Sequence, residues 1–140
     1  MAHRSENIVL VAWMLSLISS LAVLFIGEVL GQIPCSLCWF QRAFMFPLAI
    51  VLGLGVWWRD PTVARYGVIL AVVGAVIALW HLGVFYGLTP ESIRPCSASG
   101  PSCSGSEMTV LGLPIPLLSL VAFGAIATLL ILSLRKNPNE

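Results

Sequence analysis

The sequence predicts an all-α membrane protein, a four-transmembrane-helix bundle of up-down topology, and three observations carry that prediction. Hydrophobic residues make up 59% of the 140, against only seven Lys+Arg and six Asp+Glu. The mean hydropathy is +0.99, and a soluble chain this short has too much surface for its volume to hide so much apolar area. Finally, the apolar residues gather into four stretches, each long enough to cross a hydrocarbon core of about 30 Å, which takes roughly 20 helical residues. One integral membrane domain over residues 1–140 is expected. The net charge of +1 says nothing about nucleic acid, and no basic run appears; membrane lipid is the expected surrounding, and no nucleic-acid partner is expected.

The first span, residues 8–27, carries no charge. Its apolar run exceeds the usual 7–15-residue core of a signal peptide, and the Gly27-Glu28-Val29-Leu30-Gly31 stretch behind it is a poor cleavage site, so a retained anchor is expected. The second span, 38–58, has one charge, Arg42, near its start, and Pro47 predicts a kink inside it. The third, 66–88, has a single ionisable side chain of the His type, His81. The fourth, 113–134, is entered through Pro114 and Pro116, which suit a first helical turn where a missing N–H is no loss.

Orientation follows from the cations of the short loops. Arg4, Arg59, Arg65, Arg135 and Lys136 fall on one side and Arg94 alone on the other, with Arg42 embedded in a span. Both termini are therefore expected in the cytoplasm, with Trp57, Trp58 and Tyr66 at the inner interface and Tyr86 at the outer one. The outer loops are then 28–37 and 89–112.

All four cysteines land in or beside those outer loops, where disulfides persist. Cys35 and Cys38 form a Cys-x-x-Cys pair at the entry to the second helix, behind Pro34. There the positive end of the helix dipole favours thiolate, the species that attacks disulfides. Arg42, one helical turn beyond Cys38, shares its face. A charge within a span is a functional candidate by default; here it would stabilise either the Cys38 thiolate or the oxygen of a bound quinone, the bland alternative being an arginine snorkelling to the headgroups. Cys96 and Cys103 bracket Ser-Ala-Ser-Gly-Pro-Ser. A disulfide there closes a short ring worth only about 2.5 kcal/mol in loop entropy, which suits exchange with an external thiol better than scaffolding. His81 is a candidate for proton handling or quinone contact, or an interhelical hydrogen-bonder. Gln32, Gln41 and Glu28 share that ambiguity, and Phe40, Phe44 and Phe46 are candidate walls of a quinone pocket.

The run Pro34-Cys35-Ser36-Leu37-Cys38-Trp39-Phe40-Gln41-Arg42, followed by an apolar helix with a proline, resembles the DsbB family of disulfide-bond formation proteins and, within it, the short-loop BdbC-like branch. The second cysteine pair in the second outer loop and Leu113-Pro114-Ile115-Pro116-Leu117-Leu118 at the fourth span's entry extend the likeness over nearly the whole chain. The resemblance implies a thiol-disulfide oxidoreductase of the bacterial plasma membrane that reoxidises a DsbA-like thioredoxin-fold protein and delivers the electrons to menaquinone or ubiquinone. By position it makes Cys96 the site of the mixed disulfide with the partner and Cys103 the relay to Cys35. Cys38 would face the quinone, with Arg42 as the quinone-site arginine. The close spacing of Cys96 and Cys103 departs from the best-known members, whose loop holds a membrane-surface helix between these cysteines.

Two other readings have separate sequence signatures. A vitamin K epoxide reductase-like enzyme has its Cys-x-x-Cys after the loop pair, whereas here it comes first. A non-enzymatic metal-binding or structural membrane protein would join Cys35, Cys38, Cys96 and Cys103, but gaps of two and six residues are not the usual zinc pattern.

Overall fold

The computed structural model describes residues 2–89 and 109–136. Four helices, α1 (Ala2–Glu28), α2 (Ser36–Trp58), α3 (Val63–Phe85) and α4 (Ile115–Lys136), are each long and apolar enough to cross a membrane. Each packs against its neighbour in sequence, and α4 closes the ring against α1. The short connections at 29–35 and 59–62 force successive helices to run in opposite directions. The result is the up-down bundle expected.

The helices begin and end where the backbone chemistry requires. α1 starts earlier than residue 8, because the polar residues before it still form helix. It runs out at Gly31, whose φ of +69° turns the chain, while Gln32 N–H returns to the Ile26 carbonyl at 3.3 Å. α2 passes through Pro47 as one helix, although Pro47 has no N–H for the carbonyl four residues back. Its end is a left-handed cap made by a non-glycine residue, Arg59 at φ 53°, with the Asp60 N–H on the Gly55 carbonyl at 2.9 Å. The Asp60 carboxylate then accepts from both the N–H and the hydroxyl of Thr62, at 2.9 and 2.7 Å. Those two bonds hold its carboxyl below the ordinary range and fix the four-residue step into α3. α3 stops at Phe85, three residues short of the expected 88, because Gly87 at φ +71° lets Leu88 N–H cap the Gly83 carbonyl at 2.9 Å.

Before α4 the chain forms a small antiparallel ribbon, β1 (Thr109–Val110) and β2 (Leu113–Pro114), pairing Thr109 with Pro114 and Val110 with Leu113. Its two turn residues, Leu111 and Gly112, have φ of 54° and 82°, the signature of a primed hairpin turn. Pro114 thus belongs to the ribbon, and Pro116 lies in the first turn of α4.

In lipid the drive to associate comes from close packing and not from burying apolar surface. α3 accordingly presents small residues inward: Ala64, Gly67, Ala71, Gly74 and Ala78 are buried. A Cβ on Gly74 would collide with the Phe123 ring of α4, and one on Gly67 would lie 2.8 Å from Leu130 and 2.9 Å from Leu52. Large apolar residues such as Ile18, Ile69, Val76 and Val121 point outward and are more than half exposed, as lipid-facing side chains are. Buried serines satisfy themselves within their own helices: Ser16 on Trp13 O, Ser20 on Ser16 O and Ser133 on Leu130 O, at 2.7–2.8 Å.

A candidate dithiol site beside an apolar cavity

Cys35 is the N-cap of α2, in extended conformation, and its sulfur accepts the Cys38 backbone N–H at 3.4 Å. The sulfur therefore fills the role a serine or aspartate oxygen usually plays at a helix start. Three residues on, the Cys38 sulfur comes round to within 3.0 Å of it. No disulfide joins them, and the two sulfurs stand in hydrogen-bond contact. Leu37, Val84 and the half-buried Phe85 pack over the pair, and Cys35 itself is fully buried.

The surroundings of the two sulfurs differ. Cys35 turns toward α3, where His81 Nε2 lies 3.6 Å from its sulfur. The other ring nitrogen of His81 faces Gln41 Nε2 at 3.0 Å. With the amide so oriented Gln41 donates, Nδ1 accepts, and the ring proton must sit on Nε2, aimed at Cys35. His81 is wholly buried and Gln41 nearly so, so neither bond competes with water. Cys35 lies just outside the α2 span, and its thiol is pulled down to about 4, first by the hydrogen bond from Cys38; burial opposes this, and His81 adds to the lowering.

Cys38 turns the other way, into a cavity between α1, α2 and α4. Apolar side chains form most of its wall, among them Ile26, Ile33, Met45, Leu118, Ala122 and Phe123, and the polar lining is Ser19, Gln32, Gln41, Arg42 and Ser119. Arg42 reaches across from α2 to α1, donating from Nη2 to the Val23 carbonyl at 3.1 Å, with its guanidinium 5.5 Å from the centroid of Trp39. Gly27 leaves room for it: a Cβ there would sit 3.1 Å from Nη2, closer than side chains ordinarily approach. Only part of the guanidinium's donor set is used by Val23, so the arginine carries charge and N–H groups at the cavity that holds Cys38.

The structure thus brings Cys35, Cys38, Arg42 and His81 to one end of the bundle. His81 stands behind the dithiol and does not line the cavity. Phe46 and Phe44 are half-buried and Phe40 is exposed, and none of the three is among the lining residues. Cys96 and Cys103 lie outside the described residues. Gln41, one of the ambiguous polar candidates of the sequence, ties the cavity wall to His81 as an interhelical hydrogen-bonder. One participant had no mark in the sequence: Gly27, which meets Arg42 from another helix.

Chemically the arrangement is a two-electron thiol pair with a base-bearing ring on one side and an anion-stabilising cavity on the other. Cys35, Cys38 and His81 also bring two sulfurs and an imidazole nitrogen within 4.8 Å of one another, one ligand short of a closed tetrahedral zinc site among the described residues.

A family model described as "Disulfide bond formation protein DsbB" matches residues 5–133. A probable disulfide formation protein of Metapseudomonas resinovorans is 53% identical over 132 residues, covering 94% of this chain and 92% of that one. Disulfide bond formation protein C of Bacillus subtilis (strain 168) is 37% identical over 113 residues, 80% of this chain and 81% of its own. A probable disulfide formation protein of Deinococcus radiodurans is 34% identical over 128 residues, 85% and 83% of the two chains. No solved structure matches the chain.

Proposed function

The chain belongs to the DsbB family of disulfide bond formation proteins, and from that premise we propose that it reoxidises a DsbA-like thioredoxin-fold protein outside the cytoplasm, with a membrane quinone as terminal electron acceptor. The observation that carries the quinone half is the placement of Cys38 and Arg42 on one apolar cavity that also touches α1 and α4. A quinone head group suits that cavity: its ring needs apolar walls, and its carbonyl oxygens need a donor of the kind Arg42 offers. Bound there, it supplies a two-electron, two-proton acceptor.

The chain's own residues do the rest. The partner's dithiol is oxidised at Cys96–Cys103, and the loop thiols then reduce Cys35–Cys38. Two thiols become one disulfide at each transfer, and two electrons and two protons move on. A loop thiolate attacks Cys35, the sulfur on the α3 side, and releases Cys38 as the leaving sulfur into the cavity. Arg42 favours the anion formed at Cys38. When the loop pair closes again, Cys35 must itself leave, and the His81 Nε2–H directed at its sulfur stabilises that thiolate. The direction is downhill because DsbA-type disulfides, near about −120 mV, need an acceptor more oxidising than themselves. The distribution of Lys and Arg supports cytoplasmic termini and an outer position for the dithiol.

The test is quinone reduction by the purified protein, followed by quinone absorbance, with a reduced thioredoxin-fold donor. Wild type should turn over, and Cys38→Ser should fall to background. Undiminished turnover in Cys38→Ser would sink the scheme.

A further inference from the structure

One polar atom of the cavity stands out from its neighbours. Gln32 Oε1 is buried and meets no hydrogen-bond partner among the described residues, and Gln32 lines the same cavity as Cys38 and Arg42. A buried acceptor left unsatisfied is costly, and such groups are rare enough that each one calls for a ligand, a water or a function. The residue as a whole is half-buried, and the backbone fixes where it meets the cavity. Gly31 makes the left-handed turn at φ +69°, and the Gln32 N–H is tied to the Ile26 carbonyl at 3.3 Å. Gln32 therefore meets the cavity from the α1–α2 connection, whereas Arg42 reaches it from within α2.

Arg42 can only donate, so it complements a carbonyl or an anionic oxygen. It offers nothing to a hydroxyl proton. A primary amide can do either, accepting through oxygen or donating through nitrogen after a half-turn of the group. The two redox forms of a quinone present opposite faces to a protein: the oxidised form carries acceptors only, and the form that has taken two electrons and two protons carries two hydroxyl donors. Resting on the quinone reading of the cavity, we infer that Gln32 is a second head-group ligand whose amide oxygen accepts a hydroxyl of the reduced carrier and whose amide nitrogen donates to a carbonyl of the oxidised one. Its role is to hold both forms in register with Cys38 while Arg42 acts on the oxygen that develops charge.

Binding without turnover tests this. In a full-length Cys38→Ser background, which cannot pass electrons, a decyl-tailed benzoquinone and its hydroquinone are titrated into protein in lipid nanodiscs. Replacing Gln32 with the similar-sized but apolar Met (Gln32→Met) should weaken both by about five- to tenfold, the loss of one uncharged hydrogen bond. Carbonyl-labelled quinone gives a second readout that does not depend on affinity. Its bound infrared spectrum should show a carbonyl band shifted down by hydrogen bonding with Gln32 and relaxed upward in Gln32→Met. Unchanged affinities together with an unchanged carbonyl band overturn the inference and mean that water satisfies Oε1. If the parent protein with Gln32 intact binds neither form, the quinone reading itself fails and this inference with it. Melting temperatures of the two proteins within a few degrees exclude misfolding as the cause of any loss.

Discussion

The two sides of α2 at its N-terminal end are built on opposite plans. Toward α3 the packing is closed: Cys35, His81 and Gln41 form a buried hydrogen-bonded chain, and below it Gly67 and Gly74 of α3 take Leu130 and Phe123 of α4 in close contact. Toward α1 and α4 it is open, and Cys38 and Arg42 look into a cavity. Small residues occur on both sides, yet they do opposite things. On the α3 side the space over Gly74 is filled by Phe123, while Ala122 and Ser119 of α4 line the cavity. The lesson is that small residues in a membrane bundle mark either a tight seam or a binding space, and only the facing helix decides which.

Arg42→Met should break the open side most. It removes the cation and its donors from the cavity, with an expected fall in kcat/KM for quinone of about 100-fold, measured under quinone-limiting conditions. Exchange between the loop pair and Cys35 should be spared, so single-turnover reduction of the dithiol serves as the control.

A matched pair of enlargements comes next. Gly74→Ala forces a methyl against Phe123 and should destabilise the fold by about 1–3 kcal/mol, read as a lowered denaturation midpoint in detergent. Ala122→Leu fills cavity space instead; it should leave that midpoint unchanged or raised, and reduce quinone turnover by roughly tenfold. Equal effects of the two substitutions on stability would erase the contrast between the sides.

The smallest effect concerns the closed side. Cys35 is held down to about 4 from an ordinary thiol value of 9.0, so its thiolate is already formed at neutral pH. A lowered thiol stabilises the reduced pair fully above the ordinary value and loses that stabilisation as pH falls toward about 4. Between roughly pH 5 and 8 reduction should take up one proton, and the midpoint potential should fall by about 30 mV per pH unit, half the slope of a dithiol that takes up two. His81→Ala removes a donor to that thiolate and should make the pair more reducing by about 30 mV, a tenfold change in the two-electron equilibrium.

Much of this was legible in the chain. The four spans follow from length and hydropathy, and the placing of Cys35, Cys38 and Arg42 on successive turns of one helix follows from their spacing of three and four. The expected boundaries erred only at the ends, where caps decide: Gly87 closes α3 early, and the Leu111–Gly112 turn takes Pro114 into a ribbon. The pairing of His81 with Cys35, across 46 residues, was not legible. Nor was the service of Gly27 to Arg42, or the absence of Phe46 from the cavity wall.

The physical reason is rotational. An amphipathic helix of a soluble protein announces its inner face by its polar stripe, but these helices are apolar all round, because lipid and protein interior are equally apolar. Sequence by itself therefore determined the number, length and order of the helices, and the one-turn neighbours along α2. Only tertiary packing decided how each helix is rotated about its axis. That rotation sends Cys35 to a buried histidine and Cys38, three residues later, to an open cavity.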